Sequence, residues 1–197
     1  MKVEFAALIS AIRKFLEELD DPQIKSFLAD WPPANFRMRS VVPQTLPVLS
    51  WMSEALAAAG KKADYIVNML ASLANHLTWG QTYSAGDFGA GFLEKYGWTE
   101  LIGLRGPIAN DRMACGFLFL GPDIEYPQHS HEAEEVYLPL SGPTLWMRGN
   151  ADWESRAPCR PIYHGSRLPH AMRTESVPLL ALYLWRGGNL VEKSRIE

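Results

Sequence analysis

The stretch Tyr126-Pro127-Gln128-His129-Ser130-His131-Glu132-Ala133-Glu134-Glu135-Val136-Tyr137 sets the reading of this chain. Successive side chains on a strand point to opposite faces, so His129, His131, Glu135 and Tyr137 share one face wherever the backbone is extended. Two imidazoles and a carboxylate then converge, and His170 further along the chain is the candidate to complete them. Neutral imidazole and carboxylate suit borderline divalent cations such as Zn, Fe(II), Mn or Ni. Three or four protein ligands leave a coordination position for water or substrate. Three of the five histidines fall in this pattern. His76 and His164 are read as structural histidines.

Working outward, residues beyond Glu100 read as short strands broken by Gly and Pro turns: Leu101–Leu104, Cys115–Leu120, Glu134–Leu140, Thr144–Arg148, Arg160–Tyr163, Ala171–Thr174 and Leu179–Trp185. Such spacing predicts a sandwich or barrel. The run Leu179-Leu180-Ala181-Leu182-Tyr183-Leu184-Trp185 is too continuously apolar for a half-exposed strand, which predicts that helices cover its outer face. Upstream, Phe5, Leu8, Ile9, Ile12, Phe15, Leu16 and Leu19 recur at helical spacing. Further helices are predicted over Pro22–Trp31, Val48–Ala59 and Ala63–Leu77. The last of these has Tyr65, Ile66, Met69, Leu70, Leu73 and Leu77 on one face. Glycines and aromatics alternate from Trp79 to Trp98, a linker expected to pack between the two halves. The fold class is therefore α+β, with a helical region and linker over residues 1–98 and a β-barrel carrying the metal site over 99–197.

Composition bounds the function. The chain has 197 residues, 47% hydrophobic and 21% charged, with a net charge of -3, as expected of an ordinary globular protein. It has no basic run to mark a nucleic-acid partner and no apolar stretch long enough to span a membrane. The first residues lack the basic and apolar regions of a signal peptide, so a cytoplasmic location is expected. Cys115 and Cys159 have no paired spacing and are read as reduced thiols.

Gly121, seven residues, His129-x-His131, three residues, Glu135, six residues and Gly142 together resemble the first motif of the cupin superfamily. His170 matches the histidine of its second motif. The Pro-x-Gly usual before that histidine is replaced here by His164-Gly165-Ser166-Arg167-Leu168-Pro169, and Thr174 stands where asparagine is common. With the motif Tyr-Pro-x-His-x-His-x-x-x-Glu-x-Tyr and a helical N-terminal half, the whole chain resembles the cupin-type dimethylsulfoniopropionate (DMSP) lyases, most closely the DddQ proteins of marine bacteria. The resemblance implies a C-terminal cupin-type antiparallel β-barrel holding one divalent metal ion (Zn, Fe(II) or Mn), with His129, His131, Glu135 and His170 as ligands.

It also implies a small sulfonium carboxylate substrate, cleaved by β-elimination to dimethyl sulfide and acrylate. Tyr137 or Tyr126 would act as general base, and Tyr137 is an alternative to His129 as fourth ligand. An aromatic wall for the sulfonium would come from among Trp79, Tyr83, Phe88, Trp146, Tyr183 and Trp185. Another metal-dependent cupin enzyme, a dioxygenase or isomerase, and a non-catalytic ligand-binding cupin are the rival readings.

Overall fold

Helix α1 (Lys2–Glu18) forms where the apolar stripe lies, and Phe5, Leu8, Ile9, Ile12, Phe15 and Leu16 are all buried. The computed structural model describes residues 2–197; Met1, the first residue of the expected helical region, lies outside them. Helix α2 (Pro22–Leu28) starts at Asp21, whose side chain accepts from the Gln23 and Ile24 amides, with Pro22 in the first turn. It ends three residues short of the expected Trp31.

The expected Val48–Ala59 helix is instead a 3-10 turn (Pro47–Trp51) continued as α3 (Met52–Ala57). Helix α4 (Asp64–Leu73) runs on into a 3-10 turn at Ala74–His76. Its buried face is Ile66, Val67, Leu70 and Leu73, while Tyr65 is 38% exposed. Tyr65 lies over the seam with α1, edge-on to Phe15 at 6.2 Å, which turns Val67 inward in its place.

Two short helices, α5 (Ala85–Phe88) and α6 (Ala90–Glu94), occupy the expected linker. The strands are β1 (Trp79–Gly80), β2 (Tyr96–Gly103), β3 (Ile108–Ala109), β4 (Met113–Leu120), β5 (Glu125–Ser130), β6 (Glu134–Pro139), β7 (Thr144–Arg148), β8 (Glu154–Arg156), β9 (Ile162–His164), β10 (His170–Arg173), β11 (Leu179–Arg186) and β12 (Arg195–Ile196). One sheet has the order β1-β2-β4-β11-β6-β9 with β3 attached to β2; the other has the order β12-β5-β10-β7-β8. All pairings are antiparallel except β2 with β3. This is the α+β cupin-type architecture. Among the described residues no helix is long and apolar enough to cross a membrane.

Strand β11 is buried on both faces, as its continuous apolar sequence requires. Leu180, Leu182 and Leu184 join the core shared with α1, α2 and α4, whereas Leu179, Ala181 and Tyr183 face the barrel interior. Strand pairing then builds two rows across the sheet on the interior face. Glu100, Gly116, Tyr183, Tyr137 and Ile162 form one row, and Ala114, Trp185, Glu135 and His164 the next.

Gly116 keeps the first row open for Tyr183. A Cβ there would stand 2.0 Å from the Thr99 carbonyl oxygen and 2.7 Å from the Tyr183 hydroxyl. Gly116→Ala is expected to cost about 3 kcal/mol through overpacking, which in a chain of this size lowers the melting temperature by roughly 6–12 °C. Gly91→Ala, inside α6 with nothing within 4 Å, should leave it unchanged or raise it by up to about 4 °C. Thermal denaturation of the two variants checks this.

Candidate metal centre and its cavity

The cluster is assembled by strand register. On the smaller sheet His170 of β10 stands opposite His129 of β5, and His131 lies just past the end of β5. On the larger sheet Glu135 of β6 stands between Trp185 of β11 and His164 of β9. The barrel therefore brings together all four residues read from the sequence as ligands, every one of them at most 3% exposed. Thr174 fastens the start of this region. Its hydroxyl donates to the Gly121 carbonyl at 2.7 Å and accepts the Ile124 amide at 3.0 Å, joining the end of β10 to the approach of β5.

Three histidines have their ring tautomer set by the backbone. Nδ1 of His129 donates to the Pro127 carbonyl at 2.8 Å, that of His131 to Ala133 at 3.0 Å, and that of His170 to Leu168 at 2.9 Å. Each Nε2 is left with a lone pair, the form in which imidazole ligates metals. Nε2 of His131 lies 3.0 Å and Nε2 of His170 3.2 Å from Oε2 of Glu135. His170 Nε2 has no directed hydrogen bond.

Where the imidazoles are neutral, nitrogen lone pairs face a buried carboxylate oxygen, acceptor against acceptor; a proton on His131 satisfies its own contact, and a divalent cation would satisfy all of them. The donor set fits such an ion. The ligand atoms of His129, His131 and His170 lie within 4.8 Å of one another. Glu135 is further oriented by Trp185, whose indole N–H donates to Oε1 at 2.5 Å while its ring lies 4.2 Å from that of His131.

Electrostatics set the charge states. Burial works to raise the Glu135 carboxyl, but His131 and His170 outweigh it and hold the group well below the usual carboxylate range. Burial works to lower His131, but Glu135 holds it above the ordinary value. His129 and His164 are pushed well below theirs by burial and then by His170. Burial raises Tyr126 and Tyr137 well above 10, with Glu135 adding to the shift at Tyr137.

A cavity of about 290 Å³ is lined by Tyr96, Trp98, Tyr126, Tyr137, Tyr183 and Trp185, with Glu100 and Arg105, and it meets the cluster through Tyr126 and Trp185, which touch His129 and Glu135. The Tyr126 ring stacks on His129 at 4.1 Å and its hydroxyl is 2.9 Å from that of Tyr83. Of the aromatics named from sequence, Tyr183 and Trp185 line this cavity. Tyr83 and Phe88 pack behind Tyr126, Trp146 packs against Tyr137, and Trp79 lies in the helix-facing core.

The sequence reading missed Tyr96 and Trp98. Their alternation with Glu100 was the available signal, hidden by the glycine-rich composition around it. His164, read from the sequence as a structural histidine, is fully buried with Nδ1 4.0 Å from Oε2 of Glu135.

A cupin-type barrel enclosing a three-histidine and carboxylate cluster defines the class, a cupin with a candidate metal centre. Within it, the family model described as DMSP lyase matches residues 25–181, and the chain belongs to that family. It is 36% identical over 156 residues to the DMSP lyase DddQ of Ruegeria pomeroyi, covering 79% of this chain and 70% of that one. It is 31% identical over 168 residues to the putative DMSP lyase DddL of Cereibacter sphaeroides, covering 84% and 70%. The crystal structure of the Ruegeria pomeroyi DddQ superposes with a TM-score of 0.87 at 26% identity, over 100% of this chain and 97% of that one. A chain from the crystal structures of the DMSP lyases RdDddP and RnDddQII gives 0.90 at 29% identity, over 100% and 98%.

The charge states predict how the metal-free protein responds to acid. His129 and His164 have folded values below their unfolded value of about 6.5, so the stability tied to their neutral forms is present above that pH. It is lost as pH falls, at up to about 1.4 kcal/mol per pH unit for each. His131, raised in the fold, adds stability as pH falls towards about 6.5 and nothing further below it, so the losses at His129 and His164 dominate from there to pH 5. Chelator-treated protein should therefore melt at a lower temperature at pH 5 than at pH 7; an unchanged or higher value would contradict these charge states.

Proposed function

We propose that this chain cleaves DMSP to dimethyl sulfide and acrylate by β-elimination, in a centre where His129, His131, Glu135 and His170 hold one divalent metal ion. The observation carrying this reading is a buried cluster of inward-facing Nε2 lone pairs around Glu135 at the edge of an aromatic cavity. A bound cation would supply Lewis-acid stabilisation of the charge that builds on the substrate carboxylate, and would favour phenolate on a neighbouring tyrosine.

The chain's own groups do the rest. Tyr137 lines the cavity two residues beyond Glu135, and Tyr126 lines it from the opposite sheet. Tyr137 is the favoured base, since its hydroxyl reaches Glu135, beside the cation that would favour phenolate, whereas that of Tyr126 is shared with Tyr83. The base takes a proton from the carbon beside the carboxylate. The electron pair of that C–H bond becomes the carbon–carbon double bond, and the carbon–sulfur bond breaks with its pair leaving on sulfur. The products are neutral dimethyl sulfide, acrylate and one proton, first held on the tyrosine. Trp98, Tyr183 and Trp185 offer the sulfonium cation–π attraction of about 0.5–2 kcal/mol without a competing nucleophile.

Metal-loaded protein given DMSP should release dimethyl sulfide into the headspace and acrylate into solution in equal amounts, with no requirement for oxygen. Tyr137→Phe should lower turnover about 10²–10⁴-fold with little change in folding, and Tyr126→Phe less. Absence of both products from folded, metal-loaded protein would overturn the assignment. Near wild-type rates in both variants would overturn tyrosine as base.

A further inference from the structure

His164 is a buried residue whose ring is packed but whose polar atoms are not satisfied. It is fully buried, and neither ring nitrogen has a hydrogen-bond partner. A neutral imidazole carries one N–H and one lone pair, and leaving both unpaired in the interior is unfavourable. His129, His131 and His170 all fix their tautomer by donating Nδ1–H to a carbonyl two residues away, whereas His164 donates to none.

Its placement supplies the missing partner. His164 stands directly opposite Glu135 in the strand register, and its ring stacks on that of His170 at 4.1 Å and 16°. The ligand atoms of Glu135, His164 and His170 lie within 4.8 Å of one another, as do those of His129, His131 and His170. The two three-ligand sets share His170 without forming one group of five, so a single ion held by all five would draw the two sets together around it. Ligand atoms each about 2.1 Å from one ion stand about 3–4 Å apart, and the 4.0 Å between His164 Nδ1 and Glu135 Oε2 fits that separation.

We propose that His164 is a further ligand of the cation, so that His129, His131, Glu135, His164 and His170 hold it together. The proposal rests on the reading of this cluster as a metal centre. Five protein ligands with one position left for the substrate carboxylate make a six-coordinate site, which suits Fe(II), Mn(II) or Ni(II) better than the tetrahedral preference of zinc. The rival explanation is a structural histidine bridged by buried water to Trp146 Nε1 and Thr144 Oγ1, which also lack partners.

Cobalt(II) as probe separates the two. In the cobalt-loaded protein His164→Ala should shift the visible ligand-field bands and weaken cobalt binding at least ~10-fold in chelator competition, and added imidazole should restore the bands. Wild-type bands in that variant, with or without weaker binding, would overturn the proposal in favour of the water-bridged histidine. His131→Ala is the reference. If it loses the wild-type bands while His164→Ala keeps them, only this proposal fails; if neither variant changes them, the metal-centre reading fails as well. X-ray absorption of the cobalt-loaded wild-type chain needs no variant to fold. Scattering from four imidazoles is expected, and scattering from three or fewer contradicts the proposal.

Discussion

A carboxylate with no exposure to solvent stays ionised only if positive charge or directed donors surround it, because burying it alone is prohibitively costly. Glu135 meets that condition through the Trp185 indole N–H and a proton on His131, and the proposed cation would supply the rest of the charge. His131 and His170 approach one oxygen and the Trp185 indole N–H binds the other. These partners come from β10, β11 and the end of β5, so the carboxylate ties both sheets to a single geometry. Any slip of β6 by one residue would turn Glu135 and Tyr137 outward and place Val136 in the cluster.

The helical layer serves the same end by a different force. Leu180, Leu182 and Leu184 on β11 are buried against α1, α2 and α4, which fixes the outer face of the strand whose inner face carries Tyr183 and Trp185. Arg186 continues this docking through hydrogen bonds to Ser26 and a cation–π contact with Phe27 at 4.5 Å. Hydrophobic burial on one side of the strand thereby positions the indole that orients Glu135 on the other. On the far side of the cavity, Tyr83, Phe92, Tyr96 and Tyr126 pack edge-on or tilted, so the glycine-rich segment both joins the two halves and contributes cavity wall.

Much of this was legible in the chain. Period-two spacing within Glu135–Tyr137, period-three-and-four spacing in α1 and the unbroken apolar run of β11 each encode local structure and the face it buries. His129 and Glu135, in contrast, share no strand: β5 and β6 lie in different sheets with a bend through residues 131–133 between them. Elements two or three residues long, such as β1, β3, β8 and β12, carry too little pattern to be read. The inward turn of Val67 in place of Tyr65 depends on how α4 sits against α1, which no periodicity within α4 specifies. His164 was illegible for a related reason. It lies six residues before His170 in the segment that departs from the usual Pro-x-Gly motif, and only cross-strand register places it opposite Glu135. Tyr96 and Trp98 were likewise hidden, since whether they pack or line a cavity is decided by Gly116 and Tyr183 on neighbouring strands.

The central claim is that the Glu135 cluster is built around a cation. Elemental analysis of the purified wild-type chain and of Glu135→Ala tests it most directly. The account predicts about one divalent metal ion per wild-type chain and nearly none in the variant. Equal occupancy in the two, or a metal-free wild-type chain that takes up no ion when one is supplied, would contradict it.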